Sequence, residues 1–173
     1  MKKDNWIYKV FFITFILASI FSGLSNIISS RFNSFVLTII ILLVTIIGIV
    51  FDMIGTAVLT AEEKNFHAKS SRKIKGAKES INIIKNNVTI ANICNDIIGD
   101  ICGIVSGGLG AVLAINLSLK FNINLTITTI VISSIISSLT VGGKAIFKNV
   151  ATNNCDNIIM FVGKTLSIFK KNK

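Results

Sequence analysis

Proline is absent from these 173 residues, histidine occurs once, and only 8 side chains are acidic. The missing proline goes with a surplus of Ile, Asn and Lys. Low-GC coding produces that bias, and it carries no functional meaning. The lone histidine, His67, excludes any histidine-paired metal or catalytic site and is assigned to the protein surface. Cys94, Cys102 and Cys155 are an odd number without a C-x-x-C spacing, which argues against a disulfide framework or a zinc site. They are read as small buried hydrophobes. No G-x-S-x-G is present, and Gly107, Gly108 and Gly110 sit in an apolar helical run, not after a strand as a phosphate loop would. An enzyme is not expected, nor an organic cofactor. Charged residues make up only 15% against 51% hydrophobic, which excludes an ordinary soluble domain.

What is present is long apolar runs. A membrane-spanning helix needs about 20 mostly apolar residues, and four stretches qualify: 10–28, 35–59, 88–117 and 123–141. Of 18 Lys and Arg, three precede the first stretch, seven lie from Lys64 to Lys85 and six from Lys144 onward. Only Arg31 and Lys120 fall in the other two connections. The positive-inside bias then places both termini in the cytoplasm of a multi-pass protein of the cell membrane. Residues 1–9 form the cytoplasmic N-terminus. Its basic start also resembles a signal peptide, but no convincing A-x-A site follows, so cleavage is not expected.

The segment 61–86 carries Phe66, Ile74, Ala77, Ile81 and Ile84 at intervals of three, four or eight, one face of a helix. Lys69, Arg72, Lys73, Lys75 and Lys78 dominate the remainder and are assigned to the membrane surface. A second stripe, Ile158, Val162, Leu166 and Phe169, marks 145–170 as another in-plane helix. The expected fold is therefore all-α, with four transmembrane helices and two amphipathic helices at the cytoplasmic face. The net charge of +10 suits a lipid bilayer; no nucleic-acid partner is expected, because no zinc-finger or RNA-binding signature accompanies it.

Within "NICNDIIGDICG", Asn92, Asp96 and Asp100 are spaced i, i+4, i+8 and share one face of an α-helix. At about 1.5 Å per residue, Asp96 lies about 12 Å deep, Asp100 about 18 Å, and Asp52 on the preceding antiparallel span about 12 Å. An unpaired carboxylate near the bilayer centre costs about 2.5–3.5 kcal/mol. Lys120 and Lys144 stand at span ends, so no protein cation is expected to balance these acids. A hard divalent cation such as Mg²⁺ is the natural counter-charge. Ser137, with Ser133, Ser134, Ser138 and Thr140, adds hydroxyl oxygens from the last span. Gly55, Thr56, Gly99 and Gly103 are assigned to helix packing and exposed backbone carbonyls.

At these residues the chain resembles the membrane domain of the CNNM/CorB/CorC magnesium and cobalt transport family, over about residues 45–170. "IGTAVLTAEEKNFHAKSSRKIKGAKESINIIKNNVTIANICNDIIGDI" follows the family's order: a helix ending in a small-Glu-x-Ala signature, a basic in-plane helix, then a helix carrying two asparagines. "GKAIFK", beginning at Gly143, falls on the family's Gly-Glu-x-x-Pro-Lys stretch. The resemblance adds Asn95 to the metal set and implies divalent-cation transport by a homodimer. Gly55 and Lys144 stand where the family has acids, and Phe147 where it has proline. The first span is additional to the family plan, and the family's CBS pair does not lie within these residues. The expected function is divalent-cation binding and transport through Asp96, Asp100, Asn95, Asn92, Asp52 and Ser137. The alternative is a transport-inactive membrane scaffold or regulatory subunit that binds a cytoplasmic protein through its basic helices.

Overall fold

The computed structural model describes residues 33–171 and, before them, positions 8, 11–13, 15, 16, 18–20 and 23. The predicted N-terminus 1–9 and first span 10–28 fall largely outside the described residues. All regular structure among the described residues is helical: α1 (Ser34–Thr60), α2 (Glu63–Ser71), α3 (Ala77–Lys85), α4 (Asn87–Asn92), a π-helical turn (Ile93–Ile98), α5 (Gly99–Phe121), α6 (Leu125–Asn153) and α7 (Cys155–Lys171). Three runs are long and apolar enough to cross a membrane, α1 with 27 residues, Asn87–Phe121 with 35 and α6 with 29. Each exceeds the hydrocarbon thickness of about 30 Å at a rise of about 1.5 Å per residue.

Two boundaries depart from expectation. The segment 61–86 is two helices, because α2 closes in a Schellman motif: Ile74 N–H donates to Lys69 O at 3.1 Å and Lys73 N–H to Ser70 O at 2.9 Å. The left-handed residue of that motif is Lys73, with φ 54°, and Gly76 at φ 87° then starts α3. A glycine meets the second requirement freely; at Lys73 the same conformation costs about 1 kcal/mol. The last long apolar helix, for its part, does not stop at Val141. Gly142 and Gly143 remain helical, and the break comes at Asn154, so α7 begins only at Cys155.

The helices divide into two compact units. The first comprises Met1–Gly48 and Gly99–Gly142, and so contains the start of α1, all of α5 and most of α6. Its core is Leu37, Ile41, Leu109, Leu113, Ala114 and Ile132, drawn from i, i+4 pairs on facing helices. Gly110 allows close approach to Ile136, and Gly48 to Cys102, since a Cβ on either would overlap those side chains. Asn122, at φ 52°, turns the chain from α5 toward α6, with Ser118 Oγ donating to Ile123 O at 2.7 Å.

The second unit comprises Ile49–Ile98 and Gly143–Lys173. Its core joins Ala57, Val58 and Ala61 of the α1 end to Phe66, Ile83, Ile84, Ala151 and Ile159. The predicted stripe of the first basic segment is largely inside: Phe66, Ala77 and Ile84 are buried, while Ile74 is 41% exposed. On α7 the buried positions are Ile159 and Gly163, one residue on from the predicted Ile158 and Val162, and Leu166 is exposed. Glycine decides that rotation. Gly163 and Gly76 bring α7 against the start of α3 so closely that a Cβ at either would strike the other's backbone. Ser80 Oγ, fully buried, bonds to Gly76 O at 2.9 Å and to Ile159 O at 3.1 Å across that contact.

Candidate functional site

The polar centre of the second unit is built on α1. Asp52 is 3% exposed, and its carboxylate is met by two lysines of α6. Lys144 Nζ lies 3.5 Å from Oδ1 and Lys148 Nζ 3.7 Å from Oδ2. The two lysines are i, i+4 neighbours, so they rise on one face of α6. Gly143 makes the approach possible, because a side chain there would overlap Ile49. Both separations exceed the 2.7–2.9 Å usual for charge-assisted hydrogen bonds. They are ion pairs, and Oδ2 has no hydrogen-bond partner among the described residues.

This corrects the expectation that no protein cation balances the intramembrane acids. The apolar run in the sequence ends at Val141, which places Lys144 outside the span. Continuation of α6 to Asn153 carries both Lys144 and Lys148 on the helix that faces Asp52.

Three residues after Asp52, Gly55 shares its helix face and meets Asn95. A Cβ on Gly55 would overlap the Asn95 amide. Asn95 Oδ1 is buried and, like Asp52 Oδ2, has no hydrogen-bond partner among the described residues. Asn95 stands in the π-helical turn. Such turns interrupt α-helices frequently at functional sites.

The π turn also redirects the predicted ligands. Spacing of i, i+4, i+8 aligns Asn92, Asp96 and Asp100 only in an uninterrupted α-helix. Here Ala91, Cys94 and Gly99 are buried, and Asn92, Asp96 and Asp100 are all exposed rather than enclosed by neighbouring helices. Asn92, Asn95, Asp96 and Asp52 belong to the second unit, Asp100 and Ser137 to the first. Ser137 is exposed and lines a groove of about 270 Å³ with Gly103, Ser106, Gly107 and Ser133, whose walls carry no carboxylate. Among the described residues no group of three or more His, Cys, Asp or Glu side chains is gathered in metal-binding fashion. Thr56 serves its own helix, donating from Oγ1 to Asp52 O at 2.9 Å, and no Cβ-distance contact surrounds Gly103.

The surface of the same unit is basic. His67 is exposed and lies 3.0 Å from Glu63. Lys69, assigned to the membrane surface, is half-buried, 4.0 Å from Asp156 and 4.9 Å above the Phe66 ring. Arg72, Lys73, Lys75 and Lys78 are exposed and have no carboxylate partner among the described residues. Sequence reasoning missed Lys148, Ser80 and Gly163. The i, i+4 relation of Lys148 to Lys144 was visible, but only with the helix continued past the two glycines.

Compared with protein-family models, curated proteins and solved structures, the chain matches none.

Proposed function

We propose that this chain is an integral membrane protein which does not itself carry divalent cations and acts as a membrane scaffold or regulatory subunit. In this reading it keeps an order of elements resembling the CNNM/CorB/CorC membrane domain. The observation that carries the proposal is the pairing of Asp52 with Lys144 and Lys148. Two ammonium groups beside one buried carboxylate leave the locality positive, and a positive locality repels Mg²⁺ or Co²⁺. The topology proposed with it is four spans, both termini in the cytoplasm and a homodimer. Proteoliposomes holding the purified chain are expected to show Mg²⁺ and Co²⁺ flux no greater than protein-free liposomes. Flux that is abolished by Asp52→Asn overturns the scaffold reading.

The buried acceptors Asp52 Oδ2 and Asn95 Oδ1 favour a second reading, divalent-cation transport. Oxygen atoms lacking a donor are what a hard cation satisfies. In that reading Asp96, Asp100, Asn92 and Ser137 complete the ligand set in a rearranged or dimeric state. Its signature is Mg²⁺-dependent thermal stabilisation of the wild-type chain that disappears in Asp96→Asn with Asp100→Asn.

A further inference from the structure

The loop between α2 and α3 is exposed from Arg72 to Lys75, yet its backbone is fixed. The Schellman bonds hold one side. On the other side Gly76, Ala77 and Ser80 are buried, with the backbone of Lys164 against Gly76. The loop therefore presents its side chains from a rigid base. Lys73 occupies a left-handed position that glycine would fill more easily. Arg72, Lys73, Lys75 and Lys78 have no carboxylate partner among the described residues, and the exposed Lys164 adjoins them. Amid these cations Ile74 is 41% exposed.

Connectivity places this loop beside the bilayer. The α2–α3 hairpin starts just after Thr60, the end of one membrane-crossing helix, and finishes just before Asn87, the start of the next. Both ends are thus tied to the same membrane face.

We infer that this loop docks on anionic phospholipid headgroups, with Ile74 entering the interfacial layer and Arg72, Lys73, Lys75, Lys78 and Lys164 facing the phosphates. Lysine and arginine near an anionic leaflet are attracted additively, and a guanidinium grips phosphate oxygens in pairs. A protein partner is the weaker fit. Stable protein interfaces are built around an apolar core within about 800 Å² per partner, and a single isoleucine does not supply one. The inference goes beyond the proposed function and assigns the basic loop to lipid, not to the cytoplasmic partner of a scaffold. It rests on the chain being a membrane protein and stands whether or not the chain transports ions.

The test is thermal unfolding of the purified full chain in an uncharged detergent. Phosphatidylglycerol, phosphatidylcholine, inorganic phosphate and polyglutamate are titrated separately. The expected result is a saturable upward shift with phosphatidylglycerol alone, weakened by added salt. The variant R72Q/K73Q/K75Q/K78Q is expected to lose roughly a thousandfold in apparent affinity for that lipid, four charges at about 1 kcal/mol each. I74S is expected to reduce the lipid response without creating a phosphate response. K75Q/K78Q, the milder change, is expected to fall in between and decides the matter if the fourfold variant does not fold. Equal shifts with both lipids, or an unchanged shift in K75Q/K78Q, overturn the inference. A larger response to phosphate or to polyglutamate than to phosphatidylglycerol also overturns it, in favour of a soluble phosphate ligand or an acidic protein. Ion flux is a separate measurement, so failure here leaves the transport question untouched.

Discussion

Gly55 on α1 and Asn95 in the π-helical turn are pressed together so that a methyl group on the glycine would occupy the space of the asparagine amide. The contact fixes how the two long apolar segments approach each other within the second unit. Gly55→Ala is expected to destabilise the purified protein by about 1–3 kcal/mol through overpacking. Adding Asn95→Ala should restore part of that loss, because the two changes share one space. Thermal unfolding of both single variants and the double variant checks this. Additive losses would show that the two side chains do not compete.

Asp52 is held by two lysines, so removing one is expected to be tolerated better than removing both. Lys144→Met should cost less than the double Lys144→Met with Lys148→Met. The double variant strands a buried carboxylate, and its cost is on the order of 3 kcal/mol at most, since Lys148 is half exposed. Replacing Asp52 by Asn in the double variant should recover most of the loss, because an uncharged group needs no counter-ion. The check is the melting temperature of the four proteins in one detergent.

Lys73 in the left-handed region predicts a gain. Lys73→Gly is expected to stabilise the α2–α3 hairpin by about 1 kcal/mol or slightly less, removal of Cβ strain outweighing the freer unfolded chain. Slower amide hydrogen exchange at Ile74 and Lys73 would report it. Faster exchange would show that the lysine side chain itself supports the turn.

Ser80 and Gly163 carry the α3–α7 junction. Ser80→Ala is expected to cost about 1 kcal/mol by removing the donor shared between Gly76 O and Ile159 O. Gly163→Ala should cost more, about 1–3 kcal/mol, because the new methyl meets the backbone of Gly76 and cannot be relieved by a rotamer change. Chemical or thermal unfolding of the two variants orders them.

Much of the fold was readable along the chain. The runs that became α1, Asn87–Phe121 and α6 were apolar over lengths that only a membrane or a large core accommodates. Helical spacing marked Phe66, Ala77 and Ile84 as positions of an apolar face, and the fold buries all three. The candidate site was far less legible. Two local features are not written in the i, i+4, i+8 spacing: the π turn over Ile93–Ile98 that lies between Asn92 and Asp100, and the continuation of α6 past its glycine pair to Lys148, which brings two lysines to Asp52.

Hydropathy and periodicity are properties of neighbouring residues, and by themselves they determined that this chain is helical and where its long apolar segments lie. Which carboxylate meets which cation is different, because it depends on how far each helix is rotated about its own axis and how closely it approaches the next. Those quantities are set by contacts between distant residues, Gly143 on Ile49 and Gly55 on Asn95. Only the tertiary structure therefore decided that Asp52 is answered by lysine and that Asp96 and Asp100 face outward.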